Sequence, residues 1–179
     1  MTSAENQQER LIEFRGWVIG FVDGEGCFSI GLARQPDRAG RRGYRTGYQV
    51  SHEFVVTQGA SSVRSLYELR EFFGAGEVYV NRRYDNHREH LYRYSVTKWQ
   101  DLLERIIPFF EEYRLRSAKR LDFEEFAACV RRIGAGQHKT HAGLADIVEI
   151  MQTMNRKKPR HELIRILRDY TPEALDIGS

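Results

Sequence analysis

The chain is short of several things that would have classified it at once. It has two cysteines, five lysines against 23 arginines, and no apolar run approaching 18 residues. Cys27 and Cys129 each sit among apolar neighbours, which reads as reduced core thiols and excludes a disulfide framework or a thiolate zinc site. Without a long apolar run, and with a polar start over Met1–Arg10, neither a membrane span nor a signal peptide is expected. There is no phosphate-cradling glycine loop ending in lysine, no dinucleotide fingerprint and no Cys–His nucleophile pairing. Repeats and low-complexity tracts are also missing. A net charge of +3 is by itself too small to argue for a polyanionic partner. The arginine bias fits a G+C-rich or thermophilic source without choosing between them.

What is present is 179 residues of globular composition, 41% hydrophobic and 30% charged, enough for one domain with a substantial core. The charge is unevenly spread. Arg34, Arg38, Arg41, Arg42, Arg45 and Arg64 face only Asp37 and Glu53 in their stretch of chain. Arg156, Lys157, Lys158, Arg160, Arg165 and Arg168 enclose a single acid, Glu162, while acids gather over Glu104–Glu125. A basic face with an acidic back is the footprint of a phosphate-backbone binder; a solvated charged surface is the alternative.

Periodicity divides the chain into alternating helices and strands. Residues 1–10 read as a flexible lead-in, and Leu11–Val22 as a helix apolar on nearly every side. Cys27–Arg34 alternates, with Phe28, Ile30 and Leu32 inward; Tyr48–Gln58 alternates with Val50, Phe54 and Val56 inward and His52 packed among them. A proline- and arginine-bearing loop joins the two. Ser61–Phe73 is a helix capped by Ser61 or Ser62 and stopped by Gly74 and Gly76. A second hairpin follows around Asp85-Asn86-His87, with Val78, Val80, Tyr92, Tyr94 and Val96 inward. Helices are expected over Trp99–Phe110, around Phe123–Val130, around Leu144–Met151 and at Leu163–Leu167, before a tail marked by Pro172. His138 and His141 lie in a glycine-rich connection and read as a loop pair, not as half of a metal site.

One stretch departs from ordinary helix chemistry. Trp17-Val18-Ile19-Gly20-Phe21-Val22-Asp23-Gly24-Glu25-Gly26 ends in two carboxylates at the helix terminus where the macrodipole is already negative. Asp23 and Glu25 therefore call for a cation nearby, and a divalent metal on Glu25 and the Gly24 carbonyl would meet the need. Gly20, inside the helix, marks a close backbone approach. The plainer alternative is a buried helix with a glycine cap and two solvated acids. This run resembles the signature of the LAGLIDADG homing endonucleases, and it occurs once. The order α-β-β-α-β-β-α over about residues 11–130 is similar to that family as well.

The resemblance implies an α+β fold of αββαββα type, with a four-stranded antiparallel DNA-binding sheet and additional C-terminal helices. Residues 11–133 would be the endonuclease core and 134–179 a helical extension of the same domain. It implies a site-specific endonuclease of intron-encoded type, acting on a long, partly palindromic duplex and leaving short 3′ overhangs. The protein would be intracellular, in a prokaryotic cytoplasm or an organelle interior. Mg²⁺ is the implied cofactor, with Mn²⁺ able to substitute. Because one carboxylate per chain makes a sparse site, the partner is a second copy of the chain, packed through Gly16, Ile19, Gly20 and Asp23. Glu25 is then the catalytic acid and Gln58, closing Val56-Thr57-Gln58, the water-positioning glutamine. A family lysine after the third helix falls within Leu115–Arg120, with Arg116 best aligned and Lys119 the alternative. The open sheet face would read bases through Ser29, Gly31, Arg34, Arg38, Arg41, Arg42, Arg45, Gln49, Ser51, Glu53, Tyr79, Asn81, Arg83, Arg93 and Ser95. An intron-RNA-binding maturase and a non-catalytic DNA-binding regulator are the other readings.

Overall fold

The computed structural model describes residues 3–35, 43–82, 90–154 and 160–170. Arg38, Arg41, Arg42, Arg83, the 156–158 basic run, the expected Asp85-Asn86-His87 turn and the Pro172 tail lie outside these residues. Helix α1 runs Ser3–Glu25, so it begins eight residues before the expected Leu11. Residues 5–10 contain no glycine or proline, and Glu5 in the first turn favours the positive helix end.

Four strands form one antiparallel sheet: β1 (Gly26–Arg34), β2 (Tyr48–Gly59), β3 (Glu77–Asn81) and β4 (Leu91–Val96), in the order β1-β2-β4-β3. The expected alternation holds: Phe28, Phe54, Val56, Tyr94 and Val96 are buried on the inner face. Val80 shares that parity but is exposed, which corrects its expected inward burial. It lies near the end of an edge strand, beyond helical cover. Cys27 is also exposed, contrary to expectation, because it has the opposite parity to Phe28; Cys129 is buried, and burial pushes its thiol up to about 12.

Among the described residues six helices pack on the inner face of this sheet and along its edges. A 3₁₀ turn at Ala60–Ser62 leads into α2 (Val63–Phe73), where Ser62 makes no side-chain cap; Gly74 stops the helix at φ +58°. Helix α3 comprises Trp99–Asp101, a π-helical stretch at Leu102–Ile106, and Ile107–Glu112. Its widened turn precedes Pro108, whose ring would meet the carbonyl of residue 104 in a regular α-helix. Helix α4 is Lys119–Gly134, followed by a 3₁₀ turn, α5 (His141–Met151) and α6 (His161–Arg168).

Two apolar clusters divide the inner face between them. Phe28, Phe54, Phe110, Phe123 and Phe126 centre the first, with ring centroids 5.0–5.9 Å apart in tilted, stacked and edge-on pairs. The second joins Cys129, Ile133, Leu144, Ile147, Val148 and Leu167 to Ile30, Leu32, Tyr48 and Val50 at the far end of β1 and β2. The helices after residue 135 thus roof half of the sheet and free its other face for polar groups. His52 lies between these regions with its Nδ1 enclosed and unpartnered; burial and the neighbouring His138 push its pKa down. His141 stacks on Tyr170 at 3.5 Å instead of joining His138.

Leu144→Ala tests the roofing directly. Truncating this fully buried side chain is expected to cost about 2–5 kcal/mol, read as a shifted urea midpoint. A loss well under 1 kcal/mol would mean that the second cluster is loosely seated.

Candidate active site

Helix α1 passes into β1 without a loop, and Gly26 is the hinge of that passage. A Cβ there would lie 2.6 Å from Val22 Cγ1 and 2.8 Å from the Val22 carbonyl, so no side chain fits. Glu25 is therefore the last helical residue, and its carboxylate is exposed at the junction of the two elements. Gly26 pairs with Val56 at the end of the β1–β2 ladder, and half-buried Gln58 lies two residues beyond that partner. Glu25 and Gln58 thus flank the same end of the sheet.

The electrostatic conflict at the helix terminus is resolved within the chain. The Lys119 ammonium donates to the carbonyls of Val22 and Gly24, at 3.0 Å each. Partial burial pushes the Lys119 pKa down, opposed by Asp23, Cys27, Glu25 and Asp122. Asp23 accepts the backbone N–H of Arg116 at 3.1 Å, that of Ser117 at 3.0 Å and the Ser117 hydroxyl at 2.6 Å. It therefore ties α1 to the turn that launches α4. Partial burial pushes the Asp23 carboxyl up, but the Ser117 hydroxyl, the two N–H groups and Lys119 outweigh it and hold it below its usual range.

Of the two basic candidates, it is Lys119 whose side chain reaches the helix end. Arg116 is exposed and contributes its backbone N–H. Gly16, Gly20 and Gly24, spaced four apart, have open space where each Cβ would stand, and Ile19 beside them is half-buried. That stripe is unfilled within one chain. No group of three metal-binding side chains occurs among the described residues. The Glu25 carboxylate and the Gly24 carbonyl are hard oxygen donors of the kind Mg²⁺ accepts, and they form a partial set.

The outer sheet face carries the expected polar residues with differing freedom. Gln49, Ser51, Tyr79 and Asn81 are exposed there and Ser29 and Gly31 half-buried, while the exposed Arg34 ends β1 with the inner parity of Phe28 and Leu32 and the exposed Arg45 lies in the turn before β2. Ser95, expected as a base contact, is buried at 6% exposure and donates its hydroxyl to Glu53. Arg93 also bonds Glu53. Arg168 of the second basic cluster is held by Asp146 and Glu149, and Arg64 of the first pairs with Glu68. The mutual fit of Ser117 and Asp23 had no signal in sequence, since it joins residues 94 apart.

The sequence model of the LAGLIDADG endonuclease family matches residues 18–130, nearly two thirds of the chain. The chain belongs to the LAGLIDADG endonuclease family. Its fold matches the crystal structure of I-TnaI, a homing endonuclease, with a TM-score of 0.67 and 36% identity over 86% of this chain and 95% of that one. It matches I-LtrWI, a LAGLIDADG homing endonuclease bound to target DNA, with a TM-score of 0.71 and 27% identity over 81% of this chain and 45% of that one. A Neurospora crassa protein named "Probable intron-encoded endonuclease 2" is 29% identical over 77% of this chain. This LAGLIDADG chain spans about a quarter of the length of the curated relatives it matches. No helix among the described residues is long and apolar enough to cross a membrane.

Asp23→Asn should destabilise the protein by about 1–2 kcal/mol at neutral pH, because charge-assisted bonds are lost at a partly solvated site. A carboxyl held below its usual 3.8 adds stability that is present above that pH and lost as pH falls through the lowered value. The variant should therefore lose less stability than wild type on acidification through that range. Parallel urea midpoint–pH curves for the two proteins would contradict this role.

Proposed function

We propose that the chain is a site-specific double-strand DNA endonuclease of intron-encoded type, acting as a homodimer with a divalent cation, Mg²⁺ in the first instance. The observation that carries this reading is the exposed Glu25 at the tip of α1, set beside Lys119 and Gln58 at one end of an open polar sheet face. The family and the names of its relatives support endonuclease chemistry over a splicing or regulatory role. The chain covers less than half of the DNA-bound I-LtrWI, a proportion that two copies of this domain would match. The glycine stripe of α1 is the face on which two helices can approach, with both Glu25 carboxylates brought side by side.

Glu25 and the Gly24 carbonyl would hold the cation. What such an ion brings when bound is polarisation of a phosphoryl oxygen and a lowered pKa for an attacking water. Gln58 orients that water, and Lys119 stabilises the negative charge of the transition state. Major-groove contacts come from the outer sheet face, and Arg34 and Arg45 add phosphate contacts. The protein would act wherever an intron-bearing genome resides, a prokaryotic cytoplasm or an organelle interior, and the intron-encoded names of its relatives support that reading.

The decisive substrate is duplex DNA carrying the intron-free junction of the chain's own coding locus, incubated with and without Mg²⁺. Wild type should cut both strands and leave short 3′ overhangs. Glu25→Gln should bind that duplex as well or slightly better and fail to cut it; cleavage within about threefold of wild type would overturn the assignment. Lys119→Ala should slow single-turnover cleavage by about 10²-fold or more, and Arg116→Ala by far less. The reverse order would restore Arg116 as the basic residue. Gly20→Leu enters open space, so the protomer should fold normally while sedimentation shows a monomer; an unchanged dimer would move the interface elsewhere.

A further inference from the structure

On the open sheet face a single acidic side chain occupies the centre. Glu53 is on β2 and Arg93 on β4, the two central strands of the order β1-β2-β4-β3. Arg93 lies opposite Thr57 and Ser95 opposite Val55, so Glu53 sits two positions farther along β2 than the partner of Ser95. Arg93 must extend along the sheet past Ser95 to meet it. The resulting bonds are short: Arg93 Nη2 to Glu53 Oε2 at 2.6 Å and Ser95 Oγ to Glu53 Oε1 at 2.5 Å. Each carboxylate oxygen has its own donor, so the plane of the carboxylate is fixed, and the buried Ser95 is the fixed post.

Neither charged group is consumed by this arrangement. The side chains keep 39% (Arg93) and 27% (Glu53) of their surface open. A guanidinium has five N–H donors and a carboxylate about four acceptor positions, so both retain hydrogen-bonding capacity. Beside Glu53 is a hollow of about 330 Å³ bordered by Ser29, Gly31 and Ser51, whose small size lets a base edge come close. A carboxylate on a phosphate-binding face weakens general affinity for DNA, so its presence there favours discrimination.

We propose that Glu53 and Arg93 act together as a preorganised reader of one G·C base pair in each half of the DNA target, an inference that rests on the endonuclease reading above. In the major groove a G·C pair offers two adjacent acceptors, guanine N7 and O6, and then a donor, cytosine N4. Arginine followed by a carboxylate is the complementary order. An A·T pair offers acceptor, donor, acceptor, which sets thymine O4 against the carboxylate and adds a methyl group. Recognition requires no rearrangement of either side chain, because the ion pair already holds both.

The test is selection of binding duplexes from a randomised library by the full chain, with Ca²⁺ replacing Mg²⁺, repeated with Glu53→Ala, Glu53→Gln, Arg93→Met and the Glu53→Ala/Arg93→Met double variant. Wild type should require G·C at one position per half-site, with A·T there weakening binding on the order of tenfold. Glu53→Ala and Arg93→Met should each relax that same position, and the double variant should relax it no further. Glu53→Ala should also bind unrelated duplexes more tightly, since it frees a positive charge. The near-isosteric Glu53→Gln should shift the position toward A·T, because an amide pairs with adenine N6 and N7. It decides the matter if the truncations fail to fold. Unchanged preferences in every variant, or relaxation at different positions by the two residues, would overturn the reader. If wild type enriches no duplex, the endonuclease reading falls and the reader falls with it.

Discussion

The C-terminus of α1 presents two carboxylates to a helix end that already has about half a negative charge, and the Lys119 ammonium on the Val22 and Gly24 carbonyls makes that arrangement tenable. Lys119 is the first residue of α4, where a positive charge opposes that helix's own dipole. Its side chain leaves that end and satisfies the opposite end of α1. Asp23 completes the link by accepting two backbone N–H groups and one hydroxyl from the turn before α4. One acid is thereby committed to architecture and the other, Glu25, is left exposed. The separation of roles between two acids one residue apart follows from where the turn at 115–117 lies.

The remainder of the fold keeps this junction fixed and the neighbouring sheet face open. Gly26 allows helix and strand to meet with no intervening loop, so the position of Glu25 is set by the β1–β2 ladder. The aromatic cluster holds α3 and α4 against the near half of the inner face, and α5 and α6 cover the far half. With the inner face roofed except near the exposed Val80 at the edge, the outer face can carry polar groups. It is also internally braced, since Glu53, Arg93 and Ser95 bridge β2 and β4 through side chains as well as through the ladder.

Much of this was legible in the chain itself. The ten-residue run from Trp17 fixes the helix, its end and the exposed acid, and the alternation around Phe28, Phe54 and Tyr94 fixes which face is inner. Parity also placed Cys27 outward, a signal overridden by its apolar neighbours. Long-range pairing was not legible. That the side chain of Lys119, and not that of Arg116, reaches the end of α1 depends on a turn meeting a helix end 95 residues away, and the Glu53–Arg93 bond depends on strand order and on a reach of four residues along the ladder. The π-helical stretch before Pro108 and the early start of α1 reflect local backbone accommodation, which hydrophobic periodicity does not register.

In the proposed dimer, a site made from one Glu25 per chain would have a consequence that no single-variant homodimer displays. Wild-type and Glu25→Gln chains carrying different affinity tags can be co-expressed, the mixed dimer isolated, and supercoiled plasmid bearing the target followed in Mg²⁺. With each Glu25 serving one strand, the mixed dimer should convert the plasmid to nicked circles and stop, with linear product delayed on the order of the 10²-fold or greater loss typical of a missing catalytic group. Linear product formed at the wild-type rate would contradict the shared site, because one intact chain would then suffice for both strands.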